Sequence, residues 1–388
     1  MLALLACAEL LGMSLWFAGS AAAPLLREQW LLTDAQVGWL STAVQLGFVA
    51  GTALVAVSNL ADIIPARNFF AACAACGALA NTGLMLAPSL GMAVASRFLA
   101  GAFLAGVYPP AMKMAATWFR DRRGFAVGTI VGALTIGKAV PYLVTALPSA
   151  DVRLIVGLSS GSALVAAMIV FGAYRDGPFA FPSRPFSWTR IGDVVSSRSW
   201  RLATGGYLGH MAELYSYWTW IPAFLAASAI ADPHALTAPA SPAVHLLSFA
   251  VIAVGGAGCV WGGIVADRIG RSVLIVRALA VSASCCAGIG LAFGMSFWVL
   301  APVALVWGFF IIADSAQFSV LVTESVPPHA VGTAITLQVS LGFLLTTITV
   351  QIVPTIVRFA GWPWVFALLA MGPALGILAI RRLQPRPT

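Results

Sequence analysis

Four ionisable side chains stand where a chain this apolar should hold none: Glu9, Lys138, Glu213 and Asp314 each lie deep inside a long hydrophobic run. A charge in hydrocarbon costs at least about 2.5–3.5 kcal/mol at mid-helix on insertion scales, so each survivor is a functional candidate. Lys138, within GALTIGKAVPYL, is one of two lysines in the chain. Gly132, Gly137 and Pro141 around it thin and bend the helix, which suits the wall of an aqueous cavity rather than a lipid face. An ammonium there can bind an anionic group of a substrate, or it can pair with a buried acid. The carboxyls of Glu9, Glu213 and Asp314, held in a low dielectric, can exchange a proton near neutral pH, as coupling to a proton gradient requires. His210 and Glu213 are three residues apart, so they share a helix face and can form a hydrogen-bonded pair.

Long helices must position these groups. With 60% hydrophobic and 9% charged residues and a mean hydropathy of +0.95, the chain is unlike soluble domains, in which about a quarter of residues are charged. A bilayer core needs about 20 apolar residues per helical span, so 388 residues have room for roughly twelve. The long runs lack the alternation of barrel strands. Predicted helices 1 to 6 cover residues 2–26, 35–58, 69–87, 90–118, 124–147 and 154–173; helices 7 to 12 cover 200–228, 243–265, 272–293, 296–322, 331–357 and 363–380. The N-terminus has no basic leader region and reads as helix 1, not as a signal peptide. Residues 174–199, with Arg175, Arg184, Arg190, Arg198 and three prolines, read as a cytoplasmic linker between residues 1–173 and 200–388.

Basic residues set the orientation. Loops on one side hold 14 arginines, among them Arg120, Arg122, Arg123 and the tail's Arg381, Arg382 and Arg386; loops on the other hold three, Arg27, Arg153 and Arg358. The asymmetry places both termini and the linker in the cytoplasm. The net charge of +8 is therefore topological, and because it forms no contiguous face it does not point to nucleic acid. Lys113 and Arg277 lie near helix ends and are expected to snorkel. All six cysteines fall in hydrophobic runs; Cys73 and Cys76 have a C-x-x-C spacing with no further ligand nearby, so they read as small packing residues and no metal site is expected.

Between helices 8 and 9 runs GGIVADRIGR, residues 262–271. The string resembles the signature loop G-x-x-x-D-R-x-G-R of the major facilitator superfamily, which joins the second and third helices of each six-helix half. A worn copy, NLADIIPARN at 59–68, lies 205 residues earlier by the spacing of Asp62 and Asp267, and Gly124-Phe125-Ala126 parallels Gly332-Thr333-Ala334. The resemblance implies an all-α polytopic membrane protein, twelve transmembrane helices in two pseudo-symmetric six-helix bundles, with the site between the bundles at mid-membrane. It implies too that Asp62, Arg67, Asp267, Arg268 and Arg271 latch the inner ends of the bundles in one state.

In that superfamily helices 1, 4, 7 and 10 line the central cavity, and Glu9, Glu213 and Asp314 fall on them. Arg97, in RFLAGAF, resembles the family's helix-4 motif, whose arginine is linked with proton coupling; outward snorkelling is the alternative. Tyr108-Pro109-Pro110 predicts a polar break in helix 4, and Asp314 to Gln317 stand at the matching depth of helix 10. Helix 7 carries Tyr207, Tyr215, Tyr217, Trp218 and Trp220; the last three are expected to form an interfacial belt, while Tyr215 and Trp16 can close the cavity above a substrate. Some small-anion porters of the family place arginines in helices 2 and 8, and neither helix has a basic residue here. The glycine-proline motif of drug/proton antiporters is loosely matched by GALTIGKAVP, with a lysine intruding that disfavours cationic drugs.

These observations lead to an expected monomeric secondary carrier in a bacterial inner membrane, proton-coupled and working by alternating access. A small organic anion at Lys138, Tyr108, Glu213, His210, Tyr215, Asp314, Gln317 and Trp16 is the best-supported substrate, with Glu9, Glu213, Asp314 and Arg97 coupling protons. The alternatives are a proton-coupled efflux pump for neutral or weakly cationic compounds, and a membrane sensor or partner subunit without flux. No Walker loop or hydrolase motif supports an enzyme, and no cofactor is expected.

Overall fold

The computed structural model describes residues 1–119, 123–179, 186–236, 238 and 240–383. Arg120, Arg122, Arg184 and Arg386, and the side chains of Asp62 and Arg123, lie outside the described residues. Among the described residues, eleven helices are long and apolar enough to cross a membrane: α1 (Leu2–Trp30), α2 (Asp34–Val57), α3 (Ala66–Leu86), α4 (Leu90–Ala116), α5 (Gly124–Val144), α6 (Val152–Ala173), α8 (Pro242–Ile269), α9 (Arg271–Ala292), α10 (Phe297–Glu324), α11 (Pro328–Ala360) and α12 (Trp362–Leu383). Between α6 and α8 stands α7 (Arg198–Ala229), whose 32 residues extend about 48 Å at the helical rise, ample for a bilayer core. It falls outside the apolar set because its side chains are polar and aromatic, and the packing shows why. Most of α7 is buried among its neighbours and little of it faces outward.

Helix starts follow local chemistry. Thr33 and Gln36 form a reciprocal capping box at α2, and the side chains of Asp151, Ser197 and Ser241 accept from backbone N–H groups three residues on, opening α6, α7 and α8. Among the described residues four of these helices are broken in mid-course: α1 at residues 14–17, α4 at 105–107, α10 at Asp314 and α12 at Ala370. The interruptions in α4 and α10 fall at the depths read from the sequence. That in α1 was not foreseen, because no proline or paired glycine marks it.

Helices within 2–173 pack chiefly on one another, as α2 on α4, α3 on α6 and α1 on α5 and α6; those within 198–383 do the same, as α7 on α12 and α8 on α10. The two sets meet along α5 against α8 and α2 against α11. The connecting segment is pinned at both ends. Trp118 Nε1 donates to the Arg175 carbonyl (3.0 Å) and Gly177 N to Thr117 Oγ1 (3.1 Å), whereas Ser187 N donates to Thr333 Oγ1 (2.9 Å) at the start of α11.

Tyr217, Trp218 and Trp220 correct the expectation of an interfacial belt: their exposures are 0%, 1% and 3%. Tyr217 donates to the carbonyls of Val251 (3.3 Å) and Ala304 (3.0 Å), and Trp220 to that of Val350 (2.9 Å). Sequence depth along a helix says nothing of which face meets lipid, and on α7 almost none does. Lys113 likewise turns inward, donating to the Ala61 carbonyl (2.6 Å) beside the first signature loop.

Candidate functional site

A cavity of about 940 Å³ lies between the two sets of helices. Asn59, Ala61, Gly124, Asp267, Arg271 and Glu324 line its mouth, so it opens at the end of the molecule that carries the signature loops. The opposite end is sealed. There Thr346 Oγ1 donates to Gln45 Oε1 (2.6 Å), Gln351 Nε2 to Thr42 Oγ1 (2.9 Å), and Thr145 Oγ1 lies 2.9 Å from His245 Nδ1, so the seal joins α2 to α11 and α5 to α8.

Lys138 stands at the closed end. Its Nζ donates to the Tyr215 hydroxyl (2.8 Å) and lies 4.1 Å from the ring centroid of Trp16, 4.7 Å from that of Trp218 and 4.9 Å from that of Tyr215. Phe48 and Phe343 extend the cluster, their rings 4.8 Å apart and Phe48 5.2 Å from Trp16. Lys138 is 2% exposed, and ring faces stabilise its ammonium by about 0.5–2 kcal/mol each. An ammonium has three donors, so a ligand oxygen can be added to the hydroxyl it already meets. Tyr108, Tyr207 and Gln317 also line the cavity.

The sequence-derived acids do not line it; among the described lining residues the carboxylates are Asp267 and Glu324, both at the mouth. Glu9 is 0% exposed with neither oxygen hydrogen-bonded, and it lies within electrostatic reach of Lys138 and Tyr108. Glu213 is built into the second set of helices: Ser282 Oγ and Trp307 Nε1 both donate to its Oε1, each at 2.7 Å. His210 does not hydrogen-bond Glu213 across the shared face. Instead its Nδ1 lies 3.0 Å from Asp314 Oδ1, both side chains 1% exposed and the approach off the hydrogen-bond direction. The break in α10 explains the exchange of partners, since it turns Asp314 toward α7.

Arg97 is 0% exposed and does not snorkel. Its Nη1 donates to Asn81 Oδ1 (2.6 Å) and its Nη2 to the carbonyls of Leu15 (2.9 Å) and Trp16 (2.5 Å). Asn81 in turn donates to Ser160 Oγ (2.9 Å). The guanidinium thus satisfies carbonyls that the break in α1 leaves without helical partners, and it holds Trp16 against Lys138. Among the described residues, none of its hydrogen-bond partners is an acid. Asn81 and the α1 break are parts of the site that sequence reasoning missed; a buried asparagine in an apolar helix was the available signal.

Of the loop residues, Asp267 reaches across to α5: a Cβ on Gly124 would stand 2.6 Å from its Oδ2, so only glycine admits the carboxylate at that helix start. Arg271 Nη1 pairs with Glu324 Oε1 (3.0 Å). Arg67 is exposed, its Nε 3.5 Å from Asn68 Oδ1 and its guanidinium carbon 5.8 Å from the ring centroid of Phe171 on α6, and Arg268 is exposed.

Comparison with known proteins agrees with the architecture. Residues 4–350 match the model of the Major Facilitator Superfamily. No curated protein matches the chain. Eleven apolar helices, a cavity between two packed sets and a family match over most of the chain lead to one statement: this protein belongs to the Major Facilitator Superfamily and is an integral membrane transporter.

Proposed function

We propose that the chain is a proton-coupled carrier of a small organic anion that works by alternating access, its two six-helix units rocking about the cavity. The observation that carries this reading is the placement of Lys138 at the closed end of the cavity, caged by Trp16, Tyr215 and Trp218. In a secondary carrier a substrate site lies near mid-membrane between the repeats. With the arginine-rich loops in the cytoplasm, the open mouth is cytoplasmic and the sealed end faces outward. The buried acids Glu9, Glu213 and Asp314 are the groups available to exchange a proton. Because the lining carboxylates stand at the mouth and Lys138 stands at the closed end, a cation entering the closed end would meet a like charge, which disfavours efflux of cationic compounds.

The test is internal pH in proteoliposomes holding a trapped dye, challenged with organic anions and organic cations, for the wild type and Lys138→Ala. An anion-triggered pH change that disappears in the variant is the expected result. A response to cations alone, unaffected by the substitution, would overturn the assignment.

A further inference from the structure

The crossing of α1 and α5 brings the carboxylate of Glu9 within electrostatic reach of the ammonium of Lys138, with no hydrogen bond between them. Gly137, beside Lys138, packs directly on the Leu10 carbonyl, beside Glu9, and any Cβ there would collide with it. Glu9 is wholly buried, and both its oxygens are without hydrogen-bond partners, while Lys138 reaches into the cavity. The titratable groups within electrostatic reach of the two are Tyr108 on α4 and Cys259 on α8, and Tyr215 on α7 meets Lys138 through its hydroxyl. None of these adds a charge near neutral pH. The closed end therefore holds one cation and one acid.

We infer that Glu9 is the internal counter-ion of Lys138, that a substrate monoanion takes its place there while Glu9 accepts one proton, and that the carrier therefore moves one proton with one monoanion and no net charge. The inference rests on the reading of Lys138 as the substrate site.

The charge balance follows step by step. In the empty carrier Glu9 is ionised and Lys138 protonated, and the pair is neutral. When an anion brings its oxygens to Lys138, three charges would share a site sealed from water, which a low dielectric makes costly. A proton from the open side binds a Glu9 oxygen, and the site becomes a neutral acid beside an ammonium–anion pair. Release reverses both events together. Empty and loaded carriers cross with the same charge, so the cycle carries no current. A dianion would leave one charge unmatched. The rings of Trp16, Phe48, Tyr215, Trp218 and Phe343 around the ammonium favour a substrate with an apolar or aromatic body.

The experiment pairs uptake of labelled lactate, 4-hydroxybenzoate and succinate with current recording on membrane-adsorbed proteoliposomes, for the wild type and Glu9→Gln. Wild-type vesicles are expected to take up the monoanions, with succinate at least about tenfold slower, and to pass no more current than protein-free vesicles. Glu9→Gln should take up the same monoanion with a current of inward negative charge, because the empty carrier now returns as a cation. Current in the wild type, or label uptake without current in the variant, overturns the pairing; succinate uptake as fast as that of the monoanions overturns the choice of substrate charge. Should Glu9→Gln be inactive, a trapped pH dye in wild-type vesicles at clamped potential decides instead. One proton per anion at every potential supports the pairing, and any other ratio ends it. Absence of wild-type uptake of all three anions overturns the underlying assignment of Lys138, an outcome distinct from uptake with the wrong charge.

Discussion

The ammonium of Lys138 lies 4.1 Å from the centroid of the Trp16 ring, so a residue on α5 is held by a residue at the break in α1. Replacing Trp16 by Leu removes a cation–π contact of about 0.5–2 kcal/mol. The expected outcome is a KM for the transported anion raised roughly 2- to 30-fold, with Trp16→Phe retaining most of the affinity. Initial-rate kinetics in proteoliposomes check it; an unchanged KM in Trp16→Leu would remove the ring from the site.

Arg97 ties Asn81 to the Leu15 and Trp16 carbonyls at the break in α1. Asn81→Ala leaves Arg97 Nη1 without its 2.6 Å acceptor, and an unsatisfied buried donor costs about 1–3 kcal/mol. Thermal unfolding in detergent should shift downward by several degrees, and KM should rise while the ratio of protons to anions stays as in the wild type. A change in that ratio would mean that Arg97 does couple protons.

Glu213 accepts two hydrogen bonds at one oxygen, from Ser282 and Trp307. Glutamine keeps an acceptor there, so Glu213→Gln is expected to retain proton-coupled transport if Glu9 carries the proton. Alanine removes the acceptor and strands both donors, at about 1–3 kcal/mol each. Loss of coupling in Glu213→Gln, with anion uptake preserved, would move the proton site to α7.

The sealed end is held by Thr346 on Gln45 and Gln351 on Thr42. Gln45→Cys combined with Thr346→Cys should form a disulfide on mild oxidation and stop transport, and reductant should restore it. Continued flux through the cross-linked protein, measured after confirming the bond by mass spectrometry, would show that α2 and α11 need not part there.

Asp267 faces the start of α5, where a carboxylate gains about 0.3–1 kcal/mol from the helix N-terminus. Asp267→Asn should shift the balance between the two facing states about two- to fivefold, read from thiol-reagent access to a cysteine placed at Ser315 in the cavity wall. No shift would leave the loop without a latching role.

Much of this protein was legible in its sequence because the bilayer restricts a chain to few solutions. Apolar runs of helix length, fourteen arginines in the loops expected on one side against three on the other, and the repeated signature loops point to a helical membrane carrier. Periodicity and hydropathy are local properties, and they suffice for elements that each satisfy their own backbone. Buried charges were equally legible as exceptions, for a charge in hydrocarbon must be explained. What each charge meets was decided only by tertiary structure. Glu9, Glu213 and Asp314 look alike in sequence, yet the fold sets one near Lys138, ties one to Ser282 and Trp307, and turns the third toward His210. The aromatic residues of α7 read as an interfacial belt until packing buried them. Partners of this kind come from helices far apart in the chain, and their identity depends on the rotation and crossing of whole helices, which no local pattern encodes.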